Sequence, residues 1–289
     1  MAVIIDGKAI AAKILERVKE RAAALSAKGI RPCLAVVLVG EDPASVSYVS
    51  GKKKALAETG MEGRDLRLPV SVSEEELLSL IASLNADLQV HGILVQLPLP
   101  SHINEDRIIS AIAAEKDVDC FHPVSVGNLL LGRPGFLPCT PHGIIRLLQE
   151  VKIPTAGANA VILGRSNIVG KPLAMLLARR EYNAIVTLCH TGTSDLSIYT
   201  RQADILIAAA GRPGLVGERM IKPGAAIIDV GVNRIEDPSR KKGFRLRGDV
   251  DFEAVSEKAG WITPVPGGVG PMTIAMLMEN VVKAAEQAV

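Results

Sequence analysis

The sequence predicts an α/β fold in two domains. Short runs of Val, Ile and Leu alternate with amphipathic stretches, which is typical of β-α units built around a parallel sheet. The chain has 289 residues, more than the roughly 100–200 residues of one domain. A stretch dense in glycine and proline, GRPGFLPCTPHG at 132–143, separates two groups of such units. We therefore expect a domain boundary within it.

The apolar runs supply six candidate strands, and the amphipathic stretches supply seven candidate helices. The strands are predicted at 33–40, 90–97, 159–164, 184–189, 203–210 and 225–231. The helices are predicted near 7–26, 43–59, 73–86, 104–112, 141–150, 170–180 and 270–287. Strands and helices alternate on both sides of the boundary, so we expect an α/β domain in each half.

The last helix carries an apolar stripe that must dock against another element. Pro271 suits a first helical position. The stripe consists of Ile274, Leu277, Met278, Val281 and Val282. Because this helix follows a segment rich in glycine and proline, we expect it to cross back to the first domain. The predicted domains are 1–139 plus 270–289, and 140–269.

Composition and charge point to small-molecule partners. The formal net charge is only +2, which argues against a nucleic-acid binder. The amino terminus has no signal-peptide pattern and no apolar run approaches the length of a membrane span, so we expect a cytoplasmic protein without membrane contact. The four scattered cysteines form no C-x-x-C pair, so we predict no metal site and no disulfide framework.

The stretch GRSNIVGKP, 164–172, follows a predicted strand and precedes a predicted helix. A dinucleotide pyrophosphate binds at this position in doubly wound folds, with Gly164 making the turn and Gly170 allowing close helix packing. Ser166 replaces the second glycine of G-x-G-x-x-G and the spacing is one residue longer, so a plain strand-to-helix turn also fits. The motif indicates a Rossmann-like domain.

The end of the next strand sets the cofactor preference. An acidic residue there would bind the ribose 2′-hydroxyl of NAD, whereas this chain has Cys189, His190 and Thr191, with Arg165 available in the preceding turn. This pattern favours NADP over NAD. Asp195 lies four residues after Thr191, where we expect it to cap a helix, and it leaves NAD possible.

Two loops in the first domain carry polar residues. VQLPLP, 95–100, places Gln96 at the carboxyl end of a strand, where α/β proteins bind ligands. EKDVDCFHP, 115–123, contains Asp117 and Asp119, which also fit a turn cap or an ion pair with Lys116. For His122 we expect a structural role, since no nucleophile partner accompanies it.

The stretch SYVSGKKKA, 47–55, contains three consecutive lysines on a predicted helix. Tyr48 and Lys52 are four residues apart and therefore share a face, while Lys54 points away. Spacing alone does not exclude Lys53. Because an aromatic ring is useful only beside a ligand, Tyr48 favours Lys52 as the functional lysine. For Lys53 and Lys54 we expect ordinary solvated side chains.

Five motifs in this order resemble one family across essentially the full chain, the bifunctional methylenetetrahydrofolate dehydrogenase/methenyltetrahydrofolate cyclohydrolases. The motifs are YVSGK (48–52), VQLPLP (95–100), KDVD (116–119), GRSNIVGKP (164–172) and PVPGGVGPMT (264–273). The resemblance implies a homodimer with two α/β domains per protomer and a cleft between them. It also implies that one site oxidises 5,10-methylenetetrahydrofolate with NADP and hydrolyses the methenyl product to 10-formyltetrahydrofolate, in one-carbon metabolism and purine biosynthesis.

The resemblance assigns roles to individual residues. It implies that Lys52 is essential, that Gln96 hydrogen-bonds Lys52 and that Tyr48 stacks on the folate. Asp119 matches the residue that holds the pterin amino and ring N–H groups. The remaining implied contacts are Gly164, Arg165, Ser166, Thr191 and Val232 for the cofactor, and Leu97, Pro266, Gly267 and Gly268 for the folate.

A lysine suits hydrolysis of the methenyl cation because one group must take a proton from water and later protonate a ring nitrogen. A free lysine, with a pKa of about 10.4, is too basic. Partial burial and a cationic substrate would lower the pKa of Lys52, and Gln96 can bond it without adding charge. A carboxylate at position 96 would instead hold the lysine as ammonium.

Two residues depart from the family pattern. Cys120 stands where a glycine usually follows KDVD, and Ala114 replaces a common proline. If position 120 needs a positive φ, Cys120 costs roughly 1–2 kcal/mol or shifts Asp119, and its thiol could react with alkylating reagents. Three alternatives therefore stay open: a dehydrogenase without hydrolase activity, a non-catalytic folate- or nucleotide-binding module, and a shikimate-type dehydrogenase.

Overall fold

The computed structural model describes residues 1–240 and 243–288, without the side chains of residues 43 and 44. The described chain divides into two compact units. The six-stranded unit comprises Met1–Ala11 and Thr140–Thr273, and the three-stranded unit comprises Ala12–Cys139 and the residues from Ile274 onward. Both are α/β units with parallel sheets, which confirms the predicted fold class.

The units contain eleven strands and ten helices within the described residues. The strands are β1 Val3–Ile4, β2 Cys33–Val39, β3 Glu62–Leu68, β4 Gly92–Val95, β5 Asn159–Leu163, β6 Ile185–Cys189, β7 Ile205–Ala208, β8 Ala226–Asp229, β9 Asn233–Glu236, β10 Phe244–Arg247 and β11 Trp261–Ile262. The helices are α1 Gly7–Ser26, α2 Pro43–Glu58, α3 Glu74–Ala86, α4 Glu105–Ala111, α5 Pro123–Leu131, α6 Cys139–Glu150, α7 Gly170–Leu177, α8 Ser197–Thr200, α9 Phe252–Ser256 and α10 Val269–Gln287. A short 3₁₀ turn covers Glu218–Met220.

The three-stranded unit is built on β2, whose seven apolar residues are all buried. The sheet order is β3-β2-β4, and both pairs are parallel. Alternate residues of β2 pack in one apolar cluster with the buried face of α3, formed by Leu77, Ile81 and Leu84. A parallel bridge from Ile93 to Asp117 places the 116–120 segment beside β4. The carboxyl end of β4 therefore lies close to this segment.

The six-stranded unit has the strand order β1-β11-β8-β7-β5-β6, with every neighbouring pair parallel. From β5 the chain runs to β6 on one side and then to β7 on the other. This reversal of direction occurs at a topological switch point, where doubly wound sheets bind ligands outside the carboxyl ends of their strands. The turns after β5 and β7 lie at this point.

All six predicted strands and all seven predicted helices exist, and several short elements were not predicted. The strand predicted at 203–210 is shorter because Ala210 gives its amide to the Asp249 carboxylate instead of a neighbouring strand. β3 was missed because its sequence, EGRDLRL, is mostly charged. It is an edge strand whose charged side chains form ion pairs such as Arg64 with Asp87, so it lacks the apolar run of a central strand.

The division into units differs at both ends from the predicted domains. Residues 1–11 belong to the six-stranded unit because β1 pairs with β11, with Val3 opposite Trp261. A strand of two residues has no sequence pattern that could reveal this pairing. The second division falls inside α10, after Thr273 instead of before residue 270. Within the described ranges, no helix is both long and apolar enough to cross a bilayer.

Candidate functional site

Lys52 lies in the middle of α2 and is only 7% exposed. Its Nζ donates a hydrogen bond to Oε1 of Gln96 at 2.9 Å, immediately beyond the carboxyl end of β4. The other end of the same amide donates from Nε2 to the carbonyl of Leu97 at 2.8 Å. Because Nε2 needs an acceptor, this second bond fixes the amide with its oxygen toward the lysine. Gln96 thus holds the amine without adding a charge.

The other two lysines of the run are surface residues. Lys53 pairs with Asp65 at 2.8 Å and Lys54 with Glu58 at 3.6 Å, and their side chains are 52% and 79% exposed. The structure agrees with the solvated side chains expected at both positions. Tyr48, one helical turn before Lys52, is 37% exposed and keeps a surface available to a ligand.

The KDVD motif gives each of its charged residues a different task. Lys116 donates from Nζ to the last carbonyls of α3, which belong to Leu84, Asn85 and Asp87, at 2.7–3.1 Å. Asp117 accepts the amides of Phe121 at 3.1 Å and His122 at 2.8 Å, so it caps the following turn. His122 accepts the amide of Val124 and caps α5, as its expected structural role requires.

Cys120 has the positive φ, +61°, that was expected if a glycine position were occupied by cysteine. Its thiol is 1% exposed and donates to the carbonyl of Phe136 at 3.3 Å. This burial is a barrier to the alkylation considered from sequence. The strained backbone still leaves Asp119 close enough to Lys52 for the two charges to interact. Cys120 therefore bends the chain without removing Asp119 from the lysine.

Two buried groups that the sequence did not reveal support this segment. Asn280 of α10 is 3% exposed and donates from Nδ2 to the carbonyls of Val118 at 2.7 Å and Leu137 at 2.9 Å. Cys139 donates to the same Val118 carbonyl at 3.5 Å and also bonds Asp119. These contacts fix the backbone on the amino-terminal side of Asp119.

Burial dominates the electrostatics around Lys52. Desolvation lowers its pKa, while the charges of Asp119 and Cys139 oppose this change. Desolvation raises the pKa of Asp119, although Lys52 and the Cys139 hydrogen bond favour its charged form. Burial likewise raises the pKa of the Cys139 thiol far above its usual value and that of Tyr48 above its usual value. The result is an amine brought nearer to neutrality beside a carboxylate and a neutral amide.

In the six-stranded unit, the turn after β5 depends on two glycines. Gly164 has φ +128°, and a Cβ there would lie 2.2 Å from the carbonyl oxygen of Ala209. A Cβ on Gly170 would lie 2.1 Å from the carbonyl oxygen of Gly164. Ser166 accepts the amides of Val169 at 3.2 Å and Gly170 at 3.4 Å, which closes the turn onto α7. The glycines thus perform the turn and packing tasks predicted for them.

The remaining predicted cofactor residues lie at the same edge of the sheet. Arg165 follows β5, Thr191 follows β6 and Val232 follows β8, and all three are exposed. Parallel strands bring their carboxyl ends to one edge, so these positions share it. Asp195 accepts the amide of Ser197 at 2.8 Å and caps the start of α8, as expected. Its carboxylate is therefore engaged locally.

The predicted folate loop, which includes Pro266, also belongs to the six-stranded unit. Gly267 has φ +109° and accepts the amide of Lys8 at 2.9 Å. The carbonyl oxygen of Gly268 would lie 1.9 Å from a Cβ on Gly7, so the loop rests directly on the start of α1. Backbone is therefore exposed to this loop without a side chain between.

Sequence reasoning missed a buried carboxylate pair behind these loops. Asp229 accepts the amides of Gly231, Asp249 and Val250 at 2.9–3.1 Å. Burial raises the pKa of Asp229 to about 6, against the opposing effect of its backbone hydrogen bonds. The available signal was the position of Asp229 at the end of the apolar run AAIIDVG, 225–231.

Comparisons with known proteins match the whole chain to one family. Residues 5–119 match the catalytic-domain model of tetrahydrofolate dehydrogenase/cyclohydrolase, and residues 138–289 match the NAD(P)-binding-domain model of the same family. The bifunctional protein FolD of Exiguobacterium sibiricum is 56% identical over 286 residues, which cover 99% of this chain and 100% of that protein.

Two solved structures are similar over nearly the full length. The bifunctional FolD methylenetetrahydrofolate dehydrogenase/cyclohydrolase of Campylobacter jejuni has a TM-score of 0.95 and 52% identity, and each chain is covered completely. The Trypanosoma brucei FolD enzyme, solved with NADP cofactor and inhibitor, has a TM-score of 0.95 and 42% identity, with 99% of this chain and 98% of that chain covered.

Asp229 supplies a prediction on pH dependence. Its carboxyl should titrate with a midpoint of about 6 in the folded protein, against about 3.9 when unfolded. Because the folded state binds this proton more tightly, the stability contributed by Asp229 rises as pH falls from 7 towards 4, and is lost as pH rises through 6. The full effect is on the order of 2–3 kcal/mol.

Carboxyl ¹³C NMR measures this midpoint directly, with Asp237 as the internal control. Hydrogen bonds from Ser239 lower the pKa of Asp237, so its carboxyl should titrate below the ordinary range. A midpoint for Asp229 below about 4.5 would contradict the assignment of a desolvated carboxyl.

Proposed function

The chain belongs to the tetrahydrofolate dehydrogenase/cyclohydrolase family, and we propose that it catalyses both reactions of that name. It oxidises 5,10-methylenetetrahydrofolate to 5,10-methenyltetrahydrofolate with NADP⁺ and hydrolyses the product to 10-formyltetrahydrofolate. The observation that carries this proposal is the buried amine of Lys52 bonded at 2.9 Å to the neutral amide of Gln96. It supplies the titratable group that hydrolysis requires.

Hydrolysis needs one proton to leave and one to arrive. The neutral Lys52 amine takes a proton from a water as the water oxygen attacks the methenyl carbon. The resulting ammonium then gives a proton to the ring nitrogen as the carbon–nitrogen bond breaks, which leaves the formyl group on the other nitrogen. Burial favours the neutral amine at the start, because it lowers the pKa of Lys52. Gln96 keeps the amine in place through both steps.

The substrate is held by side chains of the three-stranded unit. Tyr48 provides a ring for the folate to stack on, and its partial exposure leaves that ring accessible. Asp119 accepts the amino and ring N–H groups of the pterin in its charged form, which Lys52 favours. The backbone of Leu97, and of the loop Pro266, Gly267 and Gly268, completes the folate contacts in this proposal.

The cofactor is NADP, which supplies the hydride acceptor when bound. The turn after β5 suits its phosphates, because the absence of a Cβ at Gly164 and Gly170 lets backbone amides approach. Arg165 and Ser166 would meet the 2′-phosphate, and Thr191 and Val232 would flank the rest of the cofactor. No acidic side chain follows β6 directly, so nothing at that position repels the 2′-phosphate.

The open alternatives are less consistent with the site. A dehydrogenase without hydrolase activity would follow if Cys120 had displaced Asp119, yet Asp119 still interacts with Lys52. A non-catalytic binding module would not need a buried amine with a lowered pKa. The family match over both domains argues against a shikimate-type dehydrogenase.

The homodimer is part of the proposal and is supported by the free edge of the larger sheet. β6 is its outermost strand, and Ile185 at the start of β6 is 60% exposed. Met175, on the helix α7 that packs against β6, is 38% exposed. An exposed apolar edge strand is a template for pairing with a second chain. We include a cytoplasmic location and a contribution to purine biosynthesis in the same proposal.

The Lys52→Met variant should lose nearly all cyclohydrolase activity, because it keeps the side-chain volume but removes the titratable amine. The assay supplies 5,10-methylenetetrahydrofolate with NADP⁺ or NAD⁺ and follows the methenyl absorbance as it forms and decays. Lys54→Met is the matched control, since Lys54 is exposed. Retention of most of the hydrolysis rate in Lys52→Met would refute the role of this lysine. In the unmodified enzyme, methenyl accumulation without decay would favour the dehydrogenase-only alternative.

A Gln96→Glu variant should shift the pH profile of hydrolysis upward by about one unit or more. The new carboxylate would stabilise the ammonium form of Lys52 and raise its pKa, so the rate at neutral pH should fall and recover at higher pH. The profile of kcat against pH for methenyl hydrolysis measures this shift. An unchanged profile would mean that Lys52 does not set the pH dependence.

An Ile185→Asp variant should be monomeric, because it places a charge on the edge strand proposed to pair with a second copy. Sedimentation velocity measures the mass, which should be half that of the unmodified protein. Ile185→Val is the control, since it preserves the apolar β-branched surface. A dimer that survives the Asp substitution would exclude this edge as the interface.

A further inference from the structure

Asp249 is a fully buried carboxylate that joins two loops at the cofactor edge of the six-stranded unit. Its Oδ2 accepts the amides of Ala210 at 2.7 Å and Gly211 at 2.8 Å, in the loop after β7. Its Oδ1 accepts Nδ2 of Asn233 at 2.9 Å, next to Val232 in the segment after β8. One side chain therefore holds the backbone of one loop and a side chain of the other.

The surrounding backbone leaves almost no room for this carboxylate to move. A Cβ on Gly231 would lie 2.2 Å from Oδ1 of Asp249. The amide of Asp249 is in turn bonded by Asp229 at 2.9 Å. Asp229 is similarly enclosed, since a Cβ on Gly248 would lie 1.8 Å from its Oδ2. Both carboxylates thus fill spaces that only glycine neighbours permit.

The loop that Asp249 holds lies at the topological switch point. It follows β7, and the carbonyl of Ala209 within it is the atom that excludes a Cβ from Gly164 in the turn after β5. Any displacement of the Ala210 and Gly211 amides would therefore be felt at that turn. The geometry places Asp249 behind the surface to which the cofactor binds, where it makes no contact with solvent.

We propose that Asp249 is a positioning residue for the hydride-transfer step. It sets the loop after β7 and the segment at Val232 so that the nicotinamide cofactor binds in register with the folate. This proposal rests on the function proposed above. It confines the effect to the dehydrogenase reaction, because Lys52 and Gln96 carry out hydrolysis from a different unit and need no cofactor.

A carboxylate is required at this position because its partners are all donors. Two backbone amides and one side-chain amide converge on its two oxygens, and an ionised carboxylate is an acceptor only. In Asp249→Asn, the new NH₂ group would face Nδ2 of Asn233, donor against donor. Replacing Asn233 with Asp in the same chain would restore an acceptor opposite that NH₂ group. The pair therefore offers a rescue by exchange of the two side chains.

The test compares Asp249→Asn, the exchanged double variant Asn233→Asp with Asp249→Asn, and a control, Asp237→Asn. Asp237 is an aspartate of the neighbouring β9–β10 connection whose carboxylate is bonded by Ser239. Four readouts are taken at pH 7.5: NADP⁺ affinity by fluorescence titration, dehydrogenase kcat and KM with the isotope effect of deuterated methylenetetrahydrofolate, the rate of methenyl hydrolysis without cofactor, and ¹⁵N NMR shifts of Ala210 and Gly211 in the cofactor-free protein.

For Asp249→Asn we expect NADP⁺ affinity and dehydrogenase kcat each to fall by about tenfold or more, because small misplacement of reacting groups is costly. We expect a larger isotope effect, upfield movement of both amide protons, and hydrolysis within about twofold of the unmodified enzyme. The double variant should recover part of the affinity. Unchanged affinity and kcat, or an equal loss of hydrolysis, would overturn the proposal.

Two further outcomes are assigned in advance. If Asp249→Asn does not fold, Asn233→Ala removes one donor and should weaken NADP⁺ binding in the same direction, and unchanged binding would again overturn the proposal. If the unmodified enzyme shows no dehydrogenase activity, the proposed function fails. NADP⁺ affinity and the amide shifts of the variants still decide the role of Asp249 in that case.

Discussion

The burial of a lysine amine is the constraint on which the three-stranded unit depends. A charged amine away from water costs several kcal/mol unless it is compensated, so Lys52 must either be paired or lose its proton more easily. Its direct partner is the neutral amide of Gln96, fixed by a second bond to Leu97. Asp119 restores part of the charged form without a direct ion pair. This balance leaves an amine that can both take and return a proton.

The six-stranded unit uses the opposite arrangement, with buried acceptors instead of a buried donor. Asp229 and Asp249 are almost completely buried and are compensated by amides, mostly of the backbone. Glycines at 231 and 248 make these close approaches possible. In each unit a buried ionisable side chain lies at the carboxyl ends of parallel strands. That edge is where the loops converge and where a ligand can meet several of them at once.

The local pattern of the sequence was enough to predict the fold class and most of the large elements. Periodicity identified β2 because a central strand is apolar throughout, and it identified α10 by its apolar stripe. It failed for β3, an edge strand with one charged residue after another, and for β1, which has two residues. Edge position and pairing with β11 are properties of the assembled sheet, so no window of residues contains them.

The sequence by itself determined which residue types the site would use: a tyrosine and a lysine on one helical face, an amide after a strand, and glycines in a turn. The tertiary structure decided which members of each set are buried. Neighbouring Lys52 and Lys53 differ because only Lys52 faces Gln96, 44 positions away. Asp117 caps a turn while Asp119 faces the amine. Burial and pairing depend on groups distant along the chain, so they arise only when the chain has folded.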